Sequence, residues 1–146
     1  MSPTSSGIAR KHHGHCGCAG VQYSVDGPLR GVVNCHCDRC RRMTGHFMAA
    51  TAARVADLSV DDPECLLRWW APTEAVGYGS CSRCGSTLFW KSGDRPDVWS
   101  IAAGTLDQPT GLSTTTALFV AEASDYHRLD HELREILRDE VRPPVA

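Results

Sequence analysis

The sequence lacks a long apolar run. No stretch approaches the ~20 consecutive apolar residues of a bilayer-spanning helix, and the best candidate, Phe47 to Ala53, is ended by Arg54. It also lacks a charge surplus. Fifteen Lys and Arg stand against 17 Asp and Glu, a formal net charge of −2, which argues against a broad electrostatic grip on nucleic acid or anionic lipid. Met1 to Gly14 holds Ser, Pro, Gly, Lys and His but no apolar segment of secretory-signal length. A cytoplasmic protein with neither a membrane nor a nucleic-acid partner is the expectation. Neither an internal repeat nor a Pro- and Gly-rich linker divides the chain. At 146 residues, 42% of them apolar, it has material for one core. We expect a disordered tail over 1–13, a folded domain over 14–140 and a short tail over 141–146.

Within that domain the apolar pattern is short and alternating. Val21, Tyr23 and Val25 recur with the period of two of a half-buried strand, and Asp26-Gly27-Pro28 breaks the run. Similar segments follow at Gly31 to Asn34, Phe47 to Arg54, Leu66 to Ala71, Thr87 to Lys91, Val98 to Ala103 and Thr115 to Ala121. Gly, Pro, Asp and Ser separate them, which predicts a mainly β domain. Trp69, Trp70, Trp90 and Trp99 all fall in strand candidates and read as core. Helix is expected as one turn at Asp38 to Met43 and as a short C-terminal helix from about Asp130 to Glu140. There Leu133, Ile136 and Leu137 have helical spacing and Asp130 is a candidate N-cap.

Eight cysteines are the feature that carries chemistry. Disulfides are the ordinary reading of a small cysteine-rich chain, but a cytoplasmic setting and tight clustering favour metal. The clusters are Cys16-Gly17-Cys18, Cys35-His36-Cys37-Asp38-Arg39-Cys40 and Cys81-Ser82-Arg83-Cys84-Gly85. Residues i and i+2 of a strand share a face, so a C-x-C pair offers two sulfurs to one ion. C-x-x-C followed by glycine resembles a zinc knuckle, with Gly85 free to take positive φ. Counting ligands pairs Cys16 and Cys18 with Cys81 and Cys84 in a closed set of four. It leaves Cys35, Cys37 and Cys40 with one position open, the pattern of a reactive zinc. Other partitions stay open: Cys65 as a fourth ligand of the second group, or His36 as a ligand, against an inert buried Cys65 and a His36 that points away. Seven thiolates and two zinc ions add about three negative charges. Arg39, Arg41 and Arg42 beside the second group, with Arg30 and Arg83 near other cysteines, either balance that charge or bind the carboxylates of an anionic ligand.

These motifs resemble the family of glutathione-dependent formaldehyde-activating enzymes, which shares its domain with centromere protein V. The resemblance rests on Gly14-His15-Cys16-Gly17-Cys18-Ala19-Gly20-Val21, on the second and third cysteine clusters through Arg41 and Ser86, and on Ala103-Gly104-Thr105-Leu106-Asp107. It runs from about His15 to Leu133. It implies an Mss4-like fold of several coiled antiparallel β-sheets around zinc. It also implies a structural zinc on Cys16, Cys18, Cys81 and Cys84, and a catalytic zinc on Cys35, Cys37 and Cys40. The implied activity is that of a carbon–sulfur lyase read in reverse, condensing formaldehyde with glutathione to S-hydroxymethylglutathione, a step of aldehyde detoxification. Relatives often carry an aromatic pair near the C-terminus where this chain has Tyr126-His127.

A zinc that already bears three thiolates acidifies water weakly, so binding a small thiol suits it better than water activation. Arg41 and Arg42 are the candidate anchors for that thiol's carboxylates. His46 and Asp38 flank the cluster, where local hydrogen bonding is their expected role. Two other classes remain at this stage, a non-catalytic zinc interaction module and a thiol-based redox or metal sensor.

Overall fold

The computed structural model describes residues 11–137 and 143–145. Eleven strands form two sheets, and the only α-helix among the described residues lies between the third and fourth. The strands are β1 Lys11–His15, β2 Gln22–Asp26, β3 Val32–Cys35, β4 Met48–Arg54, β5 Leu58–Asp61, β6 Leu67–Trp70, β7 Val76–Cys81, β8 Thr87–Ser92, β9 Val98–Ala102, β10 Thr114–Leu118 and β11 Arg134–Ile136; the helix, α1, is Asp38–Thr44. A three-stranded sheet has the order β1-β2-β5, and an eight-stranded sheet the order β11-β10-β3-β4-β9-β8-β7-β6. Pairing is antiparallel except where β10 runs parallel to β3 and to β11, a departure from the all-antiparallel expectation. The mainly β class stands.

The large sheet divides the interior into two cores. On β8 and β9, consecutive residues face opposite ways. Phe89 and Ile101 enter one core with Tyr23 and Val25 of the small sheet, while Trp90 and Ala102 meet the other, built on Val33, Met48, Tyr78 and Leu118. The Tyr23 and Phe89 rings meet edge to face at 5.3 Å, fastening the small sheet to the large one. Each core contains two cysteines that belong to one of the sulfur clusters: Cys16 and Cys81 in the first, Cys35 and Cys40 in the second.

Several elements differ from expectation. Lys11 to His13, read as tail, lie in β1 and pair with Asp26, Val25 and Ser24; residues 1–10 lie outside the described residues. β5 is only four residues, Leu-Ser-Val-Asp, with two apolar positions, and β7 reads Val-Gly-Tyr-Gly-Ser-Cys, a composition that argues against a strand. In β7 those glycines make room: a Cβ at Gly77 or Gly79 would come within 3.2 Å of the Trp69 ring on β6. The C-terminal helix is replaced by a turn at 131–132 and by β11. Ile136 packs against the second core and Leu137 is 64% exposed; residues 138–142 lie outside the described residues. Three apolar positions are too few to establish a helical period against an available parallel edge on β10. No helix among the described residues is long and apolar enough to cross a membrane.

Candidate metal centres

All eight cysteines are free thiols, and seven of them converge as two groups. In the first, the ligand atoms of Cys16, Cys18, Cys81 and Cys84 all lie within 4.8 Å of one another. Two tight turns bring them there. After β1, Ala19 N donates to Cys16 O and Cys16 N to Val21 O, both at 3.0 Å, with Ala19 at φ +62. After β7, Gly85 N donates to Cys81 O at 2.8 Å and Cys81 N to Ser86 O at 2.9 Å, with Gly85 at φ +80. Gly85 therefore does what its place in the motif predicts. Cys16 and Cys18 sulfurs are 3.6 Å apart, and Cys18 and Cys81 sulfurs 3.8 Å. A tetrahedral zinc with Zn–S bonds of ~2.3 Å requires S···S edges of about 3.8 Å, so this donor set fits zinc.

The surroundings favour thiolate at Cys18 and Cys84, whereas Cys81 is shifted up. Val21 N donates to Cys16 Sγ at 3.3 Å and Cys84 N lies 3.5 Å from Cys81 Sγ. Arg83 Nε donates to Cys18 Sγ at 3.4 Å while its Nη1 pairs with Glu64 at 3.0 Å. That guanidinium holds the Cys18 thiol below its ordinary range. The Ser86 hydroxyl, 3.2 Å from Cys84 Sγ, is the main cause that lowers Cys84 to about 5.

The second group sits where β3 runs into α1. Cys35 ends β3, Cys37 is the helix N-cap, and Cys40 lies one turn into the helix. Cys37 Sγ accepts from Cys40 N at 3.3 Å and Cys37 O from Arg41 N at 2.9 Å, so the cap itself aims two of the sulfurs. All three sulfurs lie within 4.8 Å of one another. Three convergent thiols of this kind fit zinc chemically, and among the described residues no fourth Cys, His, Asp or Glu joins the group. Cys35 and Cys40 are buried and Cys37 is half-buried. Hydrogen bonds from Cys35 and then Cys40 draw the Cys37 thiol far below its ordinary range. The bond to Cys37 pushes Cys35 up to about 11, and bonds to Cys35 and then to Cys37 push Cys40 higher still. The Tyr78 hydroxyl, buried under the site, lies 3.3 Å from Cys40 Sγ; burial and then the Cys40 charge raise its pKa.

The remaining candidates divide. Cys65 joins neither group and is exposed, correcting both earlier readings of it: Asp62 accepts from Leu66 N and Leu67 N at 2.8 and 2.9 Å, and the turn so formed holds Cys65 at φ +53. His36 points away from the sulfurs, packing its ring on Phe47 at 5.0 Å and His127 at 5.2 Å. Burial, with His127 and His46 nearby, lowers its pKa. Arg41 and Arg42 both engage Asp38, at 2.7 Å and 3.1 Å, with Arg42 72% exposed. Arg30 is an interior residue, donating to Ala50 O at 3.0 Å, and serves the sheet. His46 packs against Phe47, Tyr126 and His127.

Two residues near the second group escape sequence reasoning. Tyr78 reaches Cys40 through the sheet, 38 positions away, and Glu122 accepts from Asp38 N at 3.1 Å from 84 positions away. No spacing rule connects such pairs.

Among curated proteins, none matches the chain. A crystal structure of a Rhodobacter sphaeroides protein, a structural-genomics target, superposes with a TM-score of 0.57 at 24% identity, covering 70% of this chain and 99% of that one; the likeness supports the fold. A family profile described as glutathione-dependent formaldehyde-activating enzyme matches residues 11–122. That span exceeds half of the chain and contains all seven clustered cysteines, so the protein belongs to the glutathione-dependent formaldehyde-activating enzyme family.

Proposed function

We propose that the protein is a zinc enzyme of the carbon–sulfur lyase type that joins a small thiol such as glutathione to a small, formaldehyde-like aldehyde, giving an S-hydroxymethyl adduct. The observation that carries this reading is the contrast in ligand number: four sulfurs close the first group, while three sulfurs make the second. On this reading Cys16, Cys18, Cys81 and Cys84 hold a structural zinc, and Cys35, Cys37 and Cys40 hold the catalytic one. A zinc held by these three thiolates would supply a thiophilic Lewis acid able to stabilise a small thiol as thiolate at neutral pH.

The chain's own residues do the rest. Cys37, the half-buried member, marks the side from which small molecules approach, since Cys35 and Cys40 are sealed in the core. The Tyr78 hydroxyl at Cys40 Sγ orients that sulfur and absorbs part of its charge. Arg41 and Arg42 together with Asp38 present a net single positive charge at the mouth. The exposed Arg42 is the better carboxylate anchor, Arg41 being more enclosed. In the net reaction the thiol sulfur bonds to the carbonyl carbon, the π pair of C=O passes to oxygen, and the thiol proton ends on that oxygen. Holding both reactants together adds a proximity effect to thiolate activation.

The reaction also runs spontaneously, so the test must measure exchange at equilibrium. NMR exchange spectroscopy on formaldehyde and glutathione should show faster interconversion with zinc-loaded protein than with buffer, and no acceleration with Cys37→Ser. Equal rates for wild type, variant and buffer across several aldehydes and thiols would remove the enzymatic reading and leave a binding or sensing module.

A further inference from the structure

Beyond the sulfur groups, the other face of β3 carries a separate feature. Val33 and Cys35 face the second core, whereas Asn34 and His36 line a cavity of about 240 Å³ between β3, β10 and the segment 127–133. This is more room than one structural water needs. His36 is 3% exposed. Among the described residues nothing hydrogen-bonds its ring, whose contacts are the packed rings of Phe47 and His127. A nearly buried polar ring that lines a cavity offers its hydrogen-bonding atoms to whatever group occupies it.

The other lining residues say which one. Arg128, exposed and in no ion pair among the described residues, brings a cation, and Asp130 brings an anion. One Asp130 oxygen accepts from Glu132 N at 3.0 Å, which fixes the carboxylate. No ion pair joins Arg128 to Asp130, so each charge is available to an opposite charge on a ligand. Asn34 and Thr114 add neutral donors and acceptors. We propose that this cavity is a binding site for the ammonium-carboxylate headgroup of an α-amino acid, the carboxylate toward Arg128 and the ammonium toward Asp130. It is distinct from the sulfur groups and stands whether or not the thiol and aldehyde reaction does.

Glycine and L-glutamate are the probes, with acetate and methylammonium as single-charge controls, titrated into zinc-loaded full-length protein by two-dimensional NMR. The expected result is saturable shifts at Asn34, His36, Thr114 and residues 127–130, with both amino acids binding about tenfold more tightly than either control. Arg128→Ala, at an exposed position, should weaken glycine binding about tenfold and leave zinc content unchanged. Asp130→Asn, which keeps the side-chain acceptor for Glu132 N, should weaken glycine binding while sparing acetate. Three results would overturn the proposal: no saturable shift at these residues, leaving the cavity to solvent; acetate binding as tightly as glycine, leaving a plain anion site; or unchanged glycine affinity in both variants.

Discussion

The two sulfur groups use the same donor atom and differ in nearly everything else. The first joins the turn after β1 to the turn after β7, 63 positions apart at Cys18 and Cys81. The second is confined to six consecutive residues, Cys35 to Cys40. Burial does not follow the expected roles: the four-sulfur group has two exposed members, Cys18 and Cys84, whereas the three-sulfur group buries two of its three. Closure therefore comes from ligand number and not from exclusion of solvent. A metal that ties distant turns contributes to folding. One held within a strand end and a single helix turn adds little to a fold those elements already have.

The largest effect should come from cutting one site at a time. Cys84→Ser removes a ligand that crosses the fold, and since structural zinc contributes on the order of 10 kcal/mol, circular dichroism should show an unfolded or aggregated chain. Cys37→Ser should keep a native spectrum and lose one zinc by elemental analysis. The reverse pattern would invert the assignment of roles.

Acid should sharpen the contrast next. Zinc binding at the second group must displace the protons that the raised Cys35 and Cys40 thiols retain. Raised thiol pKa values mean protons bound in the metal-free state and released on loading, so affinity falls as pH falls. In the first group Cys18 and Cys84 are already lowered and only Cys81 is raised, so fewer protons leave. Calorimetry in buffers of different ionisation enthalpy should record greater proton release at the second site. A chelator titration at decreasing pH should strip that site first, and simultaneous loss of both ions would break the comparison.

Smaller effects concern the mouth and the floor of the second group. Arg42→Ala should weaken glutathione binding by a few-fold to about tenfold, as expected for one exposed charge-assisted contact, and unchanged calorimetric affinity would reduce the arginines to charge balance. Tyr78→Phe removes the hydroxyl at Cys40 and should cost about 1 kcal/mol, roughly fivefold in zinc affinity. A cobalt-substituted sample would show it as a shifted sulfur-to-metal charge-transfer band. The first site should be untouched, and an equal change at both would point to a general loss of packing.

Local spacing alone was enough to reveal the three cysteine clusters, the positive-φ role of Gly85 and most strands, because close ligand spacing and alternation are short-range properties of the backbone; pairing the first cluster with the third rested on a ligand count that left other partitions open. Reading further failed where an element owes its state to distant partners. β7 is a strand because Trp69 fills the space over Gly77 and Gly79. β11 is a strand and not a helix because β10 offers an open edge. The same holds at the sites. Only the folded sheet brings Tyr78 to Cys40, points His36 into a cavity with Arg128 and Asp130, and turns Cys65 outward. Sequence by itself determined which atoms are able to bind metal. Tertiary structure decided what surrounds them, since burial and long-range hydrogen bonds are set by residues that no local pattern places together.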